Sequence, residues 1–551
     1  MNDLANGNGI SKHDKLMFWG CFIALITTAF AFVSRLFLLG EWGAEFGLDP
    51  AQVGELAGIG IWPFAVSIII FSLFIDKIGY KVAMAFSFIG YLVWSVVGVA
   101  AFFVSDGGKG DTDLAYKMLY WGSFLLGLSN GTVEAYINPV VATMFKQNKT
   151  KWLNILHAGW PGGLVIVGLI TIAMGDADWY LKIGIIAVPA IVFFVMLVPL
   201  KFPVNERVAS GVTYREMLAE FGFGGAAIVS FLITLQLIQF FPTVNAYVFI
   251  GLGVAMVVAF TAYTQSVGNL FVFFMALIMM PLATTEIGTD GWIEEIMKGV
   301  AKEGGFNAGL VLVYTSFIMM VLRFCAGPIV HKLSPIGLLI ASAILAAAGL
   351  FWLSSAHGLI IIFAAATLYA FGKTFFWPTM LGVVSEQSPK GGALTLNALG
   401  GIGMLAVGVL GFPYIGVLQA DKQIEAVAAM ESIEETVPGL VKDGELTVLV
   451  EKDIYSIITY SAIDTAQIDA LLEPLPEAER EAISKEIGEV KEASAQGALA
   501  NMAIFPVIML VCYIGMFFYF KAKGGYAAQH LTTEEGLSDS AEEHAAESAQ
   551  R

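Results

Sequence analysis

Repeated apolar runs, each long enough to cross a bilayer, constrain this chain more than any other feature. A spanning helix needs about 20 mostly apolar residues. Candidate runs fall at about 16–40, 52–75, 82–104, 114–145, 152–174 and 180–200, then 224–241 and 244–264. Further runs follow at about 268–288, 308–330, 336–354, 358–384, 392–418 and 498–521. The chain is 57% hydrophobic and only 14% charged, where a soluble protein averages about 25% charged residues. The expected fold class is therefore an all-α polytopic membrane protein of 14 spans, grouped as six, two and six. The predicted organisation is a first six-helix bundle over 1–200, a linker over 201–223 and two extra central helices over 224–267. A second six-helix bundle follows over 268–521, interrupted by an acidic insertion at 419–497. The tail, 522–551, reads as disordered.

Charge placement orients these runs, because short cytoplasmic loops carry the Lys and Arg. With the N-terminus inside, the inner loops hold Lys77, Lys81, Lys146, Lys149, Lys151, Lys201, Arg207, Arg215, Lys332, Lys390, Lys521 and Lys523. The outer loops hold Glu41, Glu45, Asp49, Asp106, Asp111, Asp113, Asp176 and Asp178. Both termini are thus expected in the cytoplasm, with the chain in the plasma (inner) membrane. The polar start, MNDLANGNGISKHDK, has no apolar core of its own. It predicts no removable signal peptide, so that the first helix directs insertion. The net charge of −17 belongs to two appendages: 419–497 carries 18 acids against 6 bases, and 525–551 carries 6 against 1. That distribution excludes nucleic acid as a partner. The insertion is expected outside, as a small partly helical subdomain or flap with a helix from Glu477 to about Glu492. Cys21, Cys325 and Cys512 all lie in apolar runs and read as small core residues, with no metal site.

The stretch Gly127–Gly163 carries the chemistry. Glu134 interrupts an apolar run, and Asn154, His157 and Trp160 interrupt the next one. Ionisable groups at membrane depth are expensive, which makes them a functional-site hypothesis. Glu134 and Asn138 share a helix face at i, i+4. Glu134 fits a proton-coupling acid, or one locked structurally to Arg35. Arg35, midway along the first run, could pair with Glu134, donate to hydroxyls, bind a carboxylate or snorkel outward. His157 with Asn154 could bond a hydroxylated solute, or His157 could be a satisfied core residue. Lys373 reads as a substrate or counter-charge residue. Trp160 and Trp377 each adjoin a proline in mid-span and could stack on the C–H face of a sugar. Glu286 and Asp290 read as the rim of an outer vestibule. The basic stretch Lys146–Lys151 reads as a topology marker.

The loop after the second run reads Asp76-Lys77-Ile78-Gly79-Tyr80-Lys81. It resembles the acid-base-x-Gly-x-base loop of the major facilitator superfamily, whose acid, glycine and bases latch neighbouring helices during gating. A degenerate copy lies at Arg323–Lys332, with Arg323 and Gly327, in the matching place of the second half. The gating residues implied are Asp76, Gly79, Lys81, Arg323 and Gly327. Gly131, Glu134, Asn138 and Pro139, then Asn154, His157 and Gly159, resemble the fourth and fifth helices of the fucose-galactose-glucose:proton symporter family. Trp377-Pro378-Thr379 and Asn397–Gly403 resemble its tenth and eleventh. Where a member of that family has an acid in its first helix, this chain has Arg35.

The resemblance implies a major facilitator fold of two six-helix bundles, extended here by the two extra helices. It also implies a secondary transporter working by alternating access, with its site between the bundles. The solute would be small and polar, a monosaccharide, with a proton as the coupling ion. An organic-anion carrier and a transporter-like nutrient sensor are the alternatives. No HExxH pair and no nucleotide-binding loop occur in the sequence, so neither an enzyme nor an ATP-driven pump is expected. No cofactor is expected either.

Overall fold

The computed structural model describes residues 11–531 except 49, 176, 431–436, 438, 443 and 455–457. Asp49, Asp176 and the tail beyond 531, expected to be disordered, lie outside the described residues. The first half is built from α1 (Lys12–Phe46), α2 (Pro50–Gly58), α3 (Trp62–Ile78), α4 (Tyr80–Ser105) and α5 (Thr112–Met144). It is completed by α6 (Lys149–Leu156), α7 (Gly159–Met174), α8 (Trp179–Gly184) and α9 (Ala187–Leu197). Then come α10 (Tyr214–Phe240) and α11 (Ala246–Thr264). The second half comprises α12 (Leu270–Ala283), α13 (Thr289–Gly304), α14 (Gly309–Phe324), α15 (Ala326–Leu333) and α16 (Pro335–Leu353). It continues with α17 (Leu359–Lys373), α18 (Phe376–Gln387), α19 (Gly392–Ala406), α20 (Phe412–Ala428), α21 (Thr465–Leu472), α22 (Glu477–Ser494) and α23 (Ile504–Ala522).

Among the described residues, 12 helices or stacked helix pairs are long and apolar enough to span, or 13 with α14 and α15, which meet at a 70° bend. The expected 14 differ by α5, an unbroken 33-residue helix that is not among those spans; Asn130, Glu134 and Asn138 lower its hydropathy. The first and last described stretches of the chain meet at one face. Phe18 packs edge-on against Phe145 and Trp152, and Tyr526 bonds Glu386, which also bonds Thr150. We call this the terminal face and its opposite the distal face.

Glycines set how closely the helices cross. A Cβ on Gly131 would sit 2.1 Å from the Phe64 carbonyl oxygen, so α5 and α3 touch backbone to backbone. Gly131→Ala would force the pair apart at a cost of about 1–3 kcal/mol. The expected outcome is a lower thermal midpoint for the purified protein; an unchanged midpoint would show that the crossing accommodates a methyl group.

The two extra helices are unequal. α11 lies against the bundle with only 6% of its span buried, as expected for a peripheral helix. Both were expected, from their low polar content, to pack outside the core bundle, and α10 does not: 61% of its span is buried, and Trp62 packs edge-on against Phe240. It also starts at Tyr214, ten residues before the predicted run, because Thr213 and Glu216 form a reciprocal cap. At Gly222 the backbone turns to φ +52, and the next amides bond Ser266 and Val267.

The insertion has its own hydrophobic cluster, with Val427, Leu440, Val448, Ile468, Leu472, Ile483 and Ile487 at its centre. α22 falls where the sequence predicted a helix. Two antiparallel hairpins, β1 (Val441–Lys442) with β2 (Glu445–Leu446) and β3 (Leu449–Ile454) with β4 (Ile458–Ile463), were not foreseen. Gly299 of α13 lets the backbone of Glu492 approach closely, and Gln496 donates to the carbonyls of Leu353 and Ala356. The insertion is thereby fastened to the second half.

Candidate functional site

Three mid-span prolines organise the centre. Proline has no amide hydrogen, so the carbonyl four residues earlier loses its helical partner. Pro139 in this way releases Ala135, Pro161 releases His157, and Pro378 releases Thr374. Side chains occupy all three. Asn397 Nδ2 donates to Ala135 O at 2.9 Å. Arg323 Nη1 donates to His157 O at 2.8 Å, and its Nε to Thr374 O at 2.6 Å. Two of these bonds join the first half to the second.

Glu134 sits at one end of the polar chain that results. Asn138 Nδ2 donates to Glu134 Oε2 at 2.8 Å and lies 3.4 Å from Asn397 Oδ1. Asn138 Oδ1 is 3.0 Å from His157 Nε2. Because that oxygen can only accept, Nε2 is the protonated ring nitrogen. His157 Nε2 is 4.0 Å from Glu134 Oε2. Asn154 bridges the halves separately, donating to Thr150 O at 2.9 Å and Thr379 Oγ1 at 3.2 Å. Its Oδ1 is buried with no hydrogen-bond partner among the described residues.

The second half supplies two ion pairs beside this chain. Arg323 Nη2 meets Glu286 Oε1 at 2.7 Å, and Glu286 Oε2 accepts the Trp377 amide at 3.2 Å. Lys373 Nζ bonds Asp290 and is 3.3 Å from Thr315 Oγ1. These placements correct two expectations and agree with a third. Arg323 is not a gating-loop residue but a central one, because the Pro161 and Pro378 carbonyls draw its guanidinium inward. Glu286 and Asp290 form no vestibule rim, because a turn of π-helix at Thr284–Gly288 turns this segment toward the two cations. Lys373 is fully buried as the sequence suggested, with Asp290 as its partner.

Arg35 stays away from Glu134. Its guanidinium donates to the carbonyls of Leu56 and Ala57, at the end of α2, and Gly60 leaves room for it. It caps a helix end left without amide partners. Trp160 packs on Phe32 at 5.5 Å between centroids. The Trp377 indole lies over Gly400 and Gly403.

At the terminal face the acid of the first loop motif is held by the linker. Asp76 Oδ2 accepts from Arg207 at 2.8 and 3.2 Å, and Arg207 belongs to the linker. Gly79 has φ +84 and closes the turn, while Lys81 is exposed. In the second copy, Gly327 allows the Lys151 stem within 3.2 Å of where a Cβ would be.

Lys146–Lys151 is more than a topology marker. Lys149 is buried, bonding Glu206 at 2.7 Å and Ser385 O at 3.1 Å. Glu386 Oε1 accepts from both the amide and the hydroxyl of Thr150. Its other oxygen accepts from Tyr526 at 2.6 Å, and Gln529 N donates to Glu386 O at 2.8 Å. A narrow cleft in this seam is lined by Pro139, Lys149, Asn205, Ser385 and Leu396 among others. Asn205 and Glu386 were not singled out from the sequence, and Arg207 was read only as an inner-loop cation; the rule that a proline frees the carbonyl four residues back would have flagged the acceptors at 135, 157 and 374.

Two helix-rich halves, joined by a linker and meeting along a polar seam, match the Major Facilitator Superfamily model over residues 18–412. The chain belongs to the Major Facilitator Superfamily. It is a multi-pass membrane transporter of that superfamily. No curated protein matches it by sequence. The human organic anion transporter MFSD10 is similar in structure, with a TM-score of 0.54 at 11% identity over 91% of this chain and 99% of that one. The proton:xylose symporter XylE has a TM-score of 0.54 at 12% identity, over 78% of this chain and 97% of its own. The E. coli fucose:proton symporter FucP has a TM-score of 0.51 at 12% identity, over 90% and 98%. At these identities the likeness concerns the fold of the superfamily.

Proposed function

We propose that this transporter couples movement of a small neutral polar solute, a monosaccharide, to that of a proton. The observation that carries the reading is the charge balance of the centre. Three acids, Glu134, Glu286 and Asp290, face two cations, Arg323 and Lys373. Arg323 and Lys373 already have carboxylate partners at contact distance, whereas Glu134 is held by the Asn138 amide. One proton on Glu134 makes the set neutral. A neutral solute then adds no charge to a low-dielectric site, while a carboxylate would add an uncompensated one. Asn138, Asn154, His157 and Asn397 supply the mixed donors and acceptors that hydroxyl groups need.

On this reading the terminal face is cytoplasmic, because Lys77, Lys81, Lys146, Lys151, Lys332, Lys390 and Lys521 gather there. The membrane is the plasma (inner) membrane. The test is uptake by reconstituted vesicles, with sugars and small carboxylic acids compared at two pH values. Sugar uptake that rises with an inward proton gradient is expected. Uptake confined to carboxylates would overturn the solute class, and ligand binding without flux would point to a sensor.

A further inference from the structure

We propose that Arg323 is a positioning residue that ties the two halves together at the midplane and sets how much of the protein is open at the terminal face before any solute binds. It rests on the carbonyls that Pro161 and Pro378 deprive of the amide four residues on. One belongs to His157 in the first half and the other to Thr374 in the second, and a single guanidinium reaches both. Glu286 holds the third edge of the same guanidinium. Arg323 is 1% exposed, so nothing from solvent competes for these bonds.

The geometry explains why this residue is an arginine. A guanidinium presents donors in a fixed planar fork, and three separate acceptors surround it here. An ammonium is a point charge that cannot span all three. It also explains why the tie is reversible. Thr374 and Glu286 lie in the same half as Arg323, so separation of the halves breaks only the bond to His157 O. That carbonyl keeps a weak local partner, the Trp160 amide at 3.3 Å, so it is not orphaned when the arginine leaves. A bond with a ready substitute on one side shifts a two-state equilibrium without trapping it.

Two substitutions attack the tie from opposite ends. Arg323→Lys keeps the charge facing Glu286 but loses the fork. Pro161→Ala keeps Arg323 and restores an amide that claims His157 O. Pro189→Ala, in α9 away from the seam, is the control. Spin labels at Lys81→Cys and Lys332→Cys, both exposed at the terminal face, report the separation of the halves in purified solute-free protein. Cys325 and Cys512 are replaced by serine beforehand.

The expected result is a severalfold larger share of long distances in both Arg323→Lys and Pro161→Ala, with the Pro189→Ala distribution unchanged. Thermal unfolding of each variant separates opening from unfolding. Unchanged distances in folded Pro161→Ala and Arg323→Lys would overturn the proposal, as would an equal shift in the Pro189→Ala control. The readout uses neither solute nor proton gradient, so it stands or falls independently of the reading as a sugar:proton symporter.

Discussion

Glu134→Gln protein, reconstituted into vesicles, exchanges its solute across the membrane but no longer concentrates it. A gradient of one pH unit can drive about a tenfold accumulation through a one-proton symporter, since a tenfold ratio corresponds to about 1.4 kcal/mol. In the variant that ratio falls to about one. The substitution suits the question because Gln keeps an oxygen for the Asn138 Nδ2 donor, which in the native protein lies 2.8 Å from Glu134 Oε2. The contacts of Asn138 with His157 and Asn397 survive, and so does the seam between the halves. What disappears is the one acid of the central set that has no cation at contact distance, and with it the group that can take up and release a proton. Undiminished accumulation would remove Glu134 from the coupling mechanism.

The largest loss of stability is expected at the linker. Arg207 is fully buried and holds Asp76 through two nitrogens, at 2.8 and 3.2 Å, while its Nη1 donates to Val212 O at 2.5 Å. Arg207→Met removes the cation and leaves a buried carboxylate without it, which typically costs about 3–5 kcal/mol. The thermal midpoint of the purified variant should fall sharply. Adding Asp76→Asn should recover much of the loss, because the stranded charge is gone. Equal midpoints for the single and double variants would mean that the pair is a contact of convenience.

The sequence disclosed the fold through length and apolarity, which need no tertiary information. It disclosed Glu134, Asn138, His157 and Asn397 because polar groups at membrane depth stand out against their neighbours. Arg323 was visible but misplaced. Its loop position suggested the terminal face, and only the helix breaks at Cys325, His157 and Thr374 bring it to the centre. Lys149 was misread for the same reason, since a lysine in a basic loop looks solvated until Glu206 and Ser385 are found around it. Arg35 was legible as a buried cation, but its partners are backbone carbonyls, which carry no sequence signature. α10 hid its burial because an apolar helix reads alike against lipid and against protein.

The strap at Tyr526–Gln529 bears on the order in which the molecule can be assembled. Tyr526 donates to the same Glu386 carboxylate that bonds Thr150, and Gln387 Nε2 donates to Ala527 O at 2.7 Å. Burial, and then the Glu386 carboxylate, push the Tyr526 hydroxyl well above the usual tyrosine range, so it remains a donor. These residues follow α23 and leave the ribosome after every spanning segment among the described residues. The first half can fold and insert early, but its seam with the second half lacks this fastening until synthesis has passed residue 529. The nascent carrier therefore passes through an interval with both halves in the bilayer and the terminal face held without this strap.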